Sequence, residues 1–145
     1  MKDLDWSNLS FGYRQTDYNV RCYYRNGKWG EIEVCSDEYL KLHMAATCLH
    51  YGQEAFEGLK AYRCPDGKVR VFRMDENAAR LQSTCRGIMM PEVPTEMFEE
   101  MVKKVVRLNQ EWIPTYESGA TLYIRPLLIL NEIGRAVQQE CRDRS

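Results

Sequence analysis

The sequence has little that would tie it to a membrane or to nucleic acid. Its apolar runs are far too short to span a bilayer, and Met1-Lys2-Asp3-Leu4-Asp5 is no secretory leader. Charge of one sign is missing too. Twenty Lys and Arg face 21 Asp and Glu over 145 residues, so no basic excess exists to hold a phosphate backbone. These absences point to a cytoplasmic chain without a nucleic-acid partner. Metal chemistry is equally unsupported, because the two histidines, His43 and His50, stand at no zinc-ligand spacing from any cysteine. The six cysteines form no Cys-x-x-Cys pair, and four of them fall in segments that read as strand or buried helix. They are expected to be free structural thiols in a reducing compartment. Dinucleotide, Walker and nucleophile-elbow motifs are all absent.

What is present is a core. Hydrophobic residues make up 44% and charged residues 28%, which suits one folded domain of this length. Residues 1–18 are polar and aromatic without a period and read as an N-terminal arm. Val20 to Tyr24 and Trp29 to Cys35 flank Asn26-Gly27, whose tolerance of positive φ suits a type I′ hairpin turn. A second hairpin, Leu59 to Arg63 with Val69 to Phe72, turns at Pro65-Asp66-Gly67.

Asp75 is placed to cap a helix to about Arg86, with Ala78, Leu81, Cys85 and Ile88 on one face. Thr95 is placed to cap a longer helix to about Trp112, with Phe98, Met101, Val102, Val105 and Leu108 as its apolar stripe. Ala120 to Leu130 reads as a strand that Pro126 bends or confines to an edge. The whole predicts an α+β fold, a mostly antiparallel sheet built from hairpins with two helices packed on it. Residues 19–130 form the domain. Residues 131–145, with three Arg against two Glu and one Asp, read as a tail.

Two segments could carry chemistry. Leu49 to Tyr62 crowds His50, Tyr51, Phe56 and two glycines just before a strand, where a backbone can approach a ligand. The same pattern also describes a core corner with a glycine turn. In Thr121 to Pro126, alternation sends Leu122 and Ile124 to one face and Tyr123 and Arg125 to the other. Tyrosine beside arginine suits a carboxylate with an apolar group, and equally the solvated face of an edge strand. Arg80, one turn into its helix, could reach an anion or simply face water.

In this order the segments resemble the branched-chain amino acid aminotransferases, which are fold-type IV pyridoxal-phosphate enzymes. The resemblance runs from about Asp17 to Ile129. It is specific in LHYGQEAFEGLKAYR (Leu49 to Arg63), VRVFRMDENAARLQS (Val69 to Ser83) and EWIPTYESGATLYIRPLLI (Glu111 to Ile129). It implies the small N-terminal domain of such an enzyme, with pyridoxal 5′-phosphate as cofactor and amino acids and 2-oxo acids as substrates. It implies that Arg80 pairs with the cofactor phosphate and that Phe56 and Tyr123 line the pocket for the branched side chain. Tyr51 would enter that pocket from the neighbouring subunit of a homodimer, and Arg125 would meet the second carboxylate of glutamate.

The resemblance also implies a departure. The family's Schiff-base lysine and the acid facing the pyridine nitrogen belong to a large C-terminal domain, and none of the seven lysines here matches that lysine. The expectation is therefore a chain truncated at the domain junction, with no catalytic residue of its own and inactive alone, its tail read in a shifted frame. The alternative is a free-standing small domain serving as a non-catalytic binding or dimerisation module.

Overall fold

Asn26 and Gly27 take φ of 53° and 78°, the pair of left-handed residues that a type I′ turn requires. The computed structural model describes residues 2–8 and 12–131, so Cys141 and all of the tail but Asn131 lie outside the described residues. Around the turn, β2 (Tyr24–Arg25) pairs with β3 (Lys28–Trp29), and β1 (Asn19–Arg21) pairs with β4 (Glu33–Cys35). The hairpin expected as two continuous strands is thus broken at residues 22–23 and 30–32. A bond from the Gly30 N–H to the Tyr23 carbonyl, 2.8 Å, bridges the gap.

Beyond a loop, α1 (Thr47–Tyr51) ends at Gly52, whose φ of 61° gives the helix a left-handed terminus. Next come β5 (Glu54–Phe56), β6 (Leu59–Arg63) and β7 (Val69–Val71). The Pro65-Asp66-Gly67 turn joins β6 to β7 in register Arg63↔Val69, with Gly67 at φ 77°. The helices α2 (Met74–Gly87) and α3 (Thr95–Leu108) follow, then β8 (Leu122–Ile124) and β9 (Leu127–Ile129).

Pro126 bends the chain as expected, and the partner segment breaks with it. β6 pairs with β8 and β5 with β9, Leu59 opposite Ile124 and Phe56 opposite Leu127. Two residues lie between these pairs on each side, Glu57-Gly58 and Arg125-Pro126, so the register is continuous across the break. Proline offers no N–H to the ladder, but its carbonyl accepts from Glu57 N–H at 3.0 Å. Every strand pair among the described residues is antiparallel, in line with the α+β expectation.

One apolar core unites the ladder with both long helices. Ala55, Leu59, Ala61 and Ile124 meet Ala78, Leu81 and Cys85 of α2 and Phe98, Val102 and Val106 of α3. Each large side chain so buried contributes about 1.5–3 kcal/mol. The α3 seam runs through Phe98, Val102 and Val106, leaving Met101, Val105 and Leu108 half-buried.

Both expected helix caps need correction. Asp75 lies inside the first turn of α2. The tight link from β7 puts Arg73 at the cap with φ 44°, and Glu76 N–H bonds its carbonyl. Asp75 and Glu76 instead place negative charge at the positive end of the helix. Thr95 is the first residue of α3 behind Pro94, and its hydroxyl is occupied by Gln82 Nε2 at 3.2 Å. α3 also stops at Leu108, followed by a 3-10 turn over Gln110–Trp112. α1 and β5 are additions to the two helices, two hairpins and one further β-segment expected.

The first residues are tied down. Buried Asn109 accepts the N–H groups of Asp17 and Tyr18 at 3.1 Å each and donates to the Tyr18 and Val105 carbonyls. Lys2 N–H bonds the Glu111 carbonyl at 2.9 Å, and its ammonium lies 5.4 Å from the Trp112 ring centre.

Candidate functional site

The candidate residues converge on the ladder break. Alternation along β5 and β6 sends Ala55, Glu57, Leu59 and Ala61 inward and Phe56, Gly58 and Lys60 outward. From β8 and its continuation, Tyr123 and Arg125 point outward on that same face. The Arg125 guanidinium lies 4.4 Å from the Phe56 ring centre and 5.2 Å from that of Tyr123. It also donates to Tyr123 Oη from Nη2 at 2.8 Å and from Nε at 3.1 Å. A cation framed by two rings offers an apolar wall and an anion anchor together.

Gly58 makes this packing possible. A Cβ there would stand 2.6 Å from Tyr123 Oη and 3.3 Å from Cζ, so the hydroxyl end of the tyrosine comes this close to the backbone only because that atom is missing.

Behind the break, Glu57 is an acid among core residues, with its side chain 3% exposed. Arg80 reaches it from α2 with both Nε (2.8 Å) and Nη2 (2.6 Å), one to each carboxylate oxygen. Asn77, one turn earlier, donates Nδ2 to Oε2 at 2.8 Å and also reaches the Gly58 carbonyl at 3.3 Å. Arg80 foremost, then Asn77, holds the Glu57 carboxyl below the usual glutamate range against the opposing effect of burial. The Arg80 side chain remains 68% exposed.

The structure therefore gathers Phe56, Tyr123 and Arg125 into one cluster and attaches Arg80 to it through the Glu57-Gly58 peptide. Tyr51 is outside the cluster, at the end of α1, 69% exposed and with the His50 ring 6.5 Å away. Glu57 was not among the expected site residues. Its signal was a charge at an inward strand position, which requires a partner.

Other chemistry is sparse among the described residues. No group of three His, Cys, Asp or Glu could hold a metal ion, and no helix is long and apolar enough to cross a membrane. Cys22, Cys35, Cys48, Cys64 and Cys85 are free, and burial pushes the Cys22 and Cys85 thiols up, away from the reactive thiolate. Two open depressions lie along the charged outer face of α3 and beside the first hairpin.

Comparison with known proteins bears on what this arrangement is part of. A branched-chain-amino-acid aminotransferase from Haemophilus influenzae is 53% identical over 129 residues, 89% of this chain. The chain is a homologue of the branched-chain amino acid aminotransferases. It spans 38% of the length of that relative and corresponds to the N-terminal part of such enzymes. Among solved structures, the Escherichia coli branched-chain amino acid aminotransferase superposes on 82% of this chain and 34% of its own, with TM-score 0.61 and 28% identity. A T.th. branched-chain amino acid aminotransferase, solved with pyridoxamine 5′-phosphate, covers 66% of this chain and 29% of its own at TM-score 0.54 and 29% identity. No protein-family model matches.

Proposed function

We propose that this chain is the small-domain portion of a pyridoxal-phosphate-dependent branched-chain aminotransferase, supplying one wall of the substrate pocket and one anchor for the cofactor phosphate. The observation that carries the reading is the Phe56–Arg125–Tyr123 cluster, set on the ladder break beside the Glu57-held Arg80. The whole enzyme would move the amino group of leucine, isoleucine or valine to 2-oxoglutarate.

The residues fit that cofactor. Arg80 spends Nε and Nη2 on Glu57, while Nη1 has no partner among the described residues and the side chain is largely exposed. A guanidinium edge so placed suits a phosphate monoester, and its charge does not titrate in the working range. When bound, the cofactor supplies the electron sink for breaking the substrate's Cα–H bond. This chain's residues bind and orient. Phe56 and Tyr123 cover an aliphatic side chain and exclude water. Arg125 can leave its stacked position to meet a carboxylate, so one pocket serves leucine-type substrates and glutamate by turns.

The proton-shuttling lysine of the reaction lies outside the segments matched here, and the chain alone does not transfer amino groups. Exposed Tyr51, Phe56, Tyr123 and Leu127 support a face made to be covered by the rest of a cytoplasmic homodimeric enzyme, with Tyr51 serving the partner's pocket. The organisation that goes with this reading is an arm over 1–18, a small domain over 19–130 and a tail over 131–145. The test is a chimera in which residues 17–129 replace the matching portion of the Haemophilus influenzae enzyme. Amino transfer from leucine to 2-oxoglutarate is expected in the chimera and absent in the chain alone. A folded, cofactor-loaded chimera without transfer overturns the proposal.

A further inference from the structure

A buried carboxylate on the core side of a ladder break needs a structural or functional reason, because burying it costs several kcal/mol unless its lone pairs are filled. Glu57 has three donors on two oxygens: Arg80 Nε on Oε1, with Arg80 Nη2 and Asn77 Nδ2 on Oε2. Two of these bonds come from one side chain that is itself mostly in water. An exposed arginine on a helix ordinarily samples many rotamers, and fixing it costs side-chain entropy. Here a bidentate fork fixes the plane of the guanidinium.

The anchor is also well placed. Glu57 sits in the ladder break, its N–H bonded to the Pro126 carbonyl, and the next residue is the Gly58 over which Tyr123 lies. Asn77 ties the same α2 turn to the Gly58 carbonyl. The orientation of Arg80 and the position of the Tyr123–Arg125 cluster are thus set by one short stretch of backbone.

We infer that Glu57, aided by Asn77, is a positioning residue: it orients the Arg80 guanidinium so that the Nη1 edge faces outward for a phosphate monoester. This rests on the reading of Arg80 given above. Glu57 touches no ligand itself. Its carboxylate fixes one edge of the fork and leaves the other pre-oriented, which lowers the ordering cost of binding.

The experiment uses the full chain, with backbone amide and arginine Nε–H resonances followed while inorganic phosphate or pyridoxamine 5′-phosphate is titrated in. In the unaltered chain a resolved, slowly exchanging Arg80 Nε–H is expected, moving as either probe is added. Glu57→Gln, with its amide spectrum retained, should merge that Nε–H with the fast-exchanging arginines and weaken pyridoxamine 5′-phosphate binding about ten-fold. Glu57→Asp should restore part of both. An Arg80 Nε–H left resolved and slow in Glu57→Gln overturns the positioning role, whatever the phosphate does.

The ligand half has its own test. Probe-dependent shifts that persist in Arg80→Ala, or that never arise in the unaltered chain, overturn Arg80 as the phosphate anchor. Should Glu57→Gln not fold, the unaltered chain still decides. An Arg80 Nε–H that exchanges as fast as that of exposed Arg107 overturns the inference, and slow exchange supports it.

Discussion

On one face of the long ladder Ala55, Leu59, Ala61 and Ile124 are buried with α2 and α3. On the other, Phe56, Tyr123 and Leu127 stand 60%, 49% and 51% exposed. The backbone and the register are shared, so secondary structure alone does not separate the two faces. What separates them is cover. The inner face has two amphipathic helices laid against it, whereas the outer face holds aromatic residues around a cation and a glycine. The first excludes water within the chain itself, whereas the second is left open, as the proposed function requires of a wall of a substrate pocket.

That contrast can be broken by mutation, and the largest effect belongs to the inner face. Phe98→Ala, at a site 3% exposed, should cost about 3–5 kcal/mol in chemical unfolding through the cavity it leaves. A loss under about 1 kcal/mol would mean that the core is far looser than its packing indicates. Gly58→Ala comes next. The new methyl would lift the half-exposed Tyr123 ring off the backbone, so a loss of about 1 kcal/mol is expected. The Arg125–Tyr123 bond should go with it, read as a change in the Arg125 Nε–H resonance.

Acid tests the seam between the faces. The carboxyl of Glu57 is held low in the folded chain, so its stabilising contribution is present above the ordinary glutamate value near 4.3. That contribution is lost as pH falls through the folded value. Unfolding measured from pH 7 to pH 2 should therefore show a slope below about pH 4 that is shallower in Glu57→Gln. Exposed Asp66, held at about 2 by Arg70, loses its own contribution over an overlapping range, but it is the same in both proteins and cancels when Glu57→Gln is compared with the unaltered chain. The smallest effect belongs to the outer face. Phe56→Ala should change stability by no more than about 0.5 kcal/mol, while removing the ring 4.4 Å from Arg125. A large destabilisation there would show the outer face to be core after all.

Much of the frame was legible in the residues, each part for a physical reason. Asn26-Gly27 and Pro65-Asp66-Gly67 announce turns because few residues accept the backbone angles those turns need. The α3 stripe is long enough for its period to show, and Pro126 marks the bend because it has no N–H to donate. The rest depends on partners distant in sequence. α1 has five residues and β5 three, too few to display a period. The cap of α2 was misplaced because Arg73 at φ 44° reflects the short link from β7, a demand that no side-chain preference reveals. Tyr123 and Arg125 were legible by alternation, and Phe56 by its company. Glu57 was legible only as an oddity, a charge between Ala55 and Leu59, since nothing local names Arg80 as its partner.

The continuous register across the ladder break also constrains the order in which the molecule can assemble. Each hairpin turn and each long helix can form from neighbouring residues within microseconds. The pairing of Glu54 with Ile129 and of Leu59 with Ile124 must wait until the ends of a segment holding β7, α2 and α3 find one another. Closing so large a loop carries an entropy cost before any bond rewards it, and long-range pairing of this kind slows folding. On the ribosome, the strand holding Phe56 emerges well before the break that holds Arg125. The aromatic cluster needs both segments, so it cannot form before this long-range pairing does.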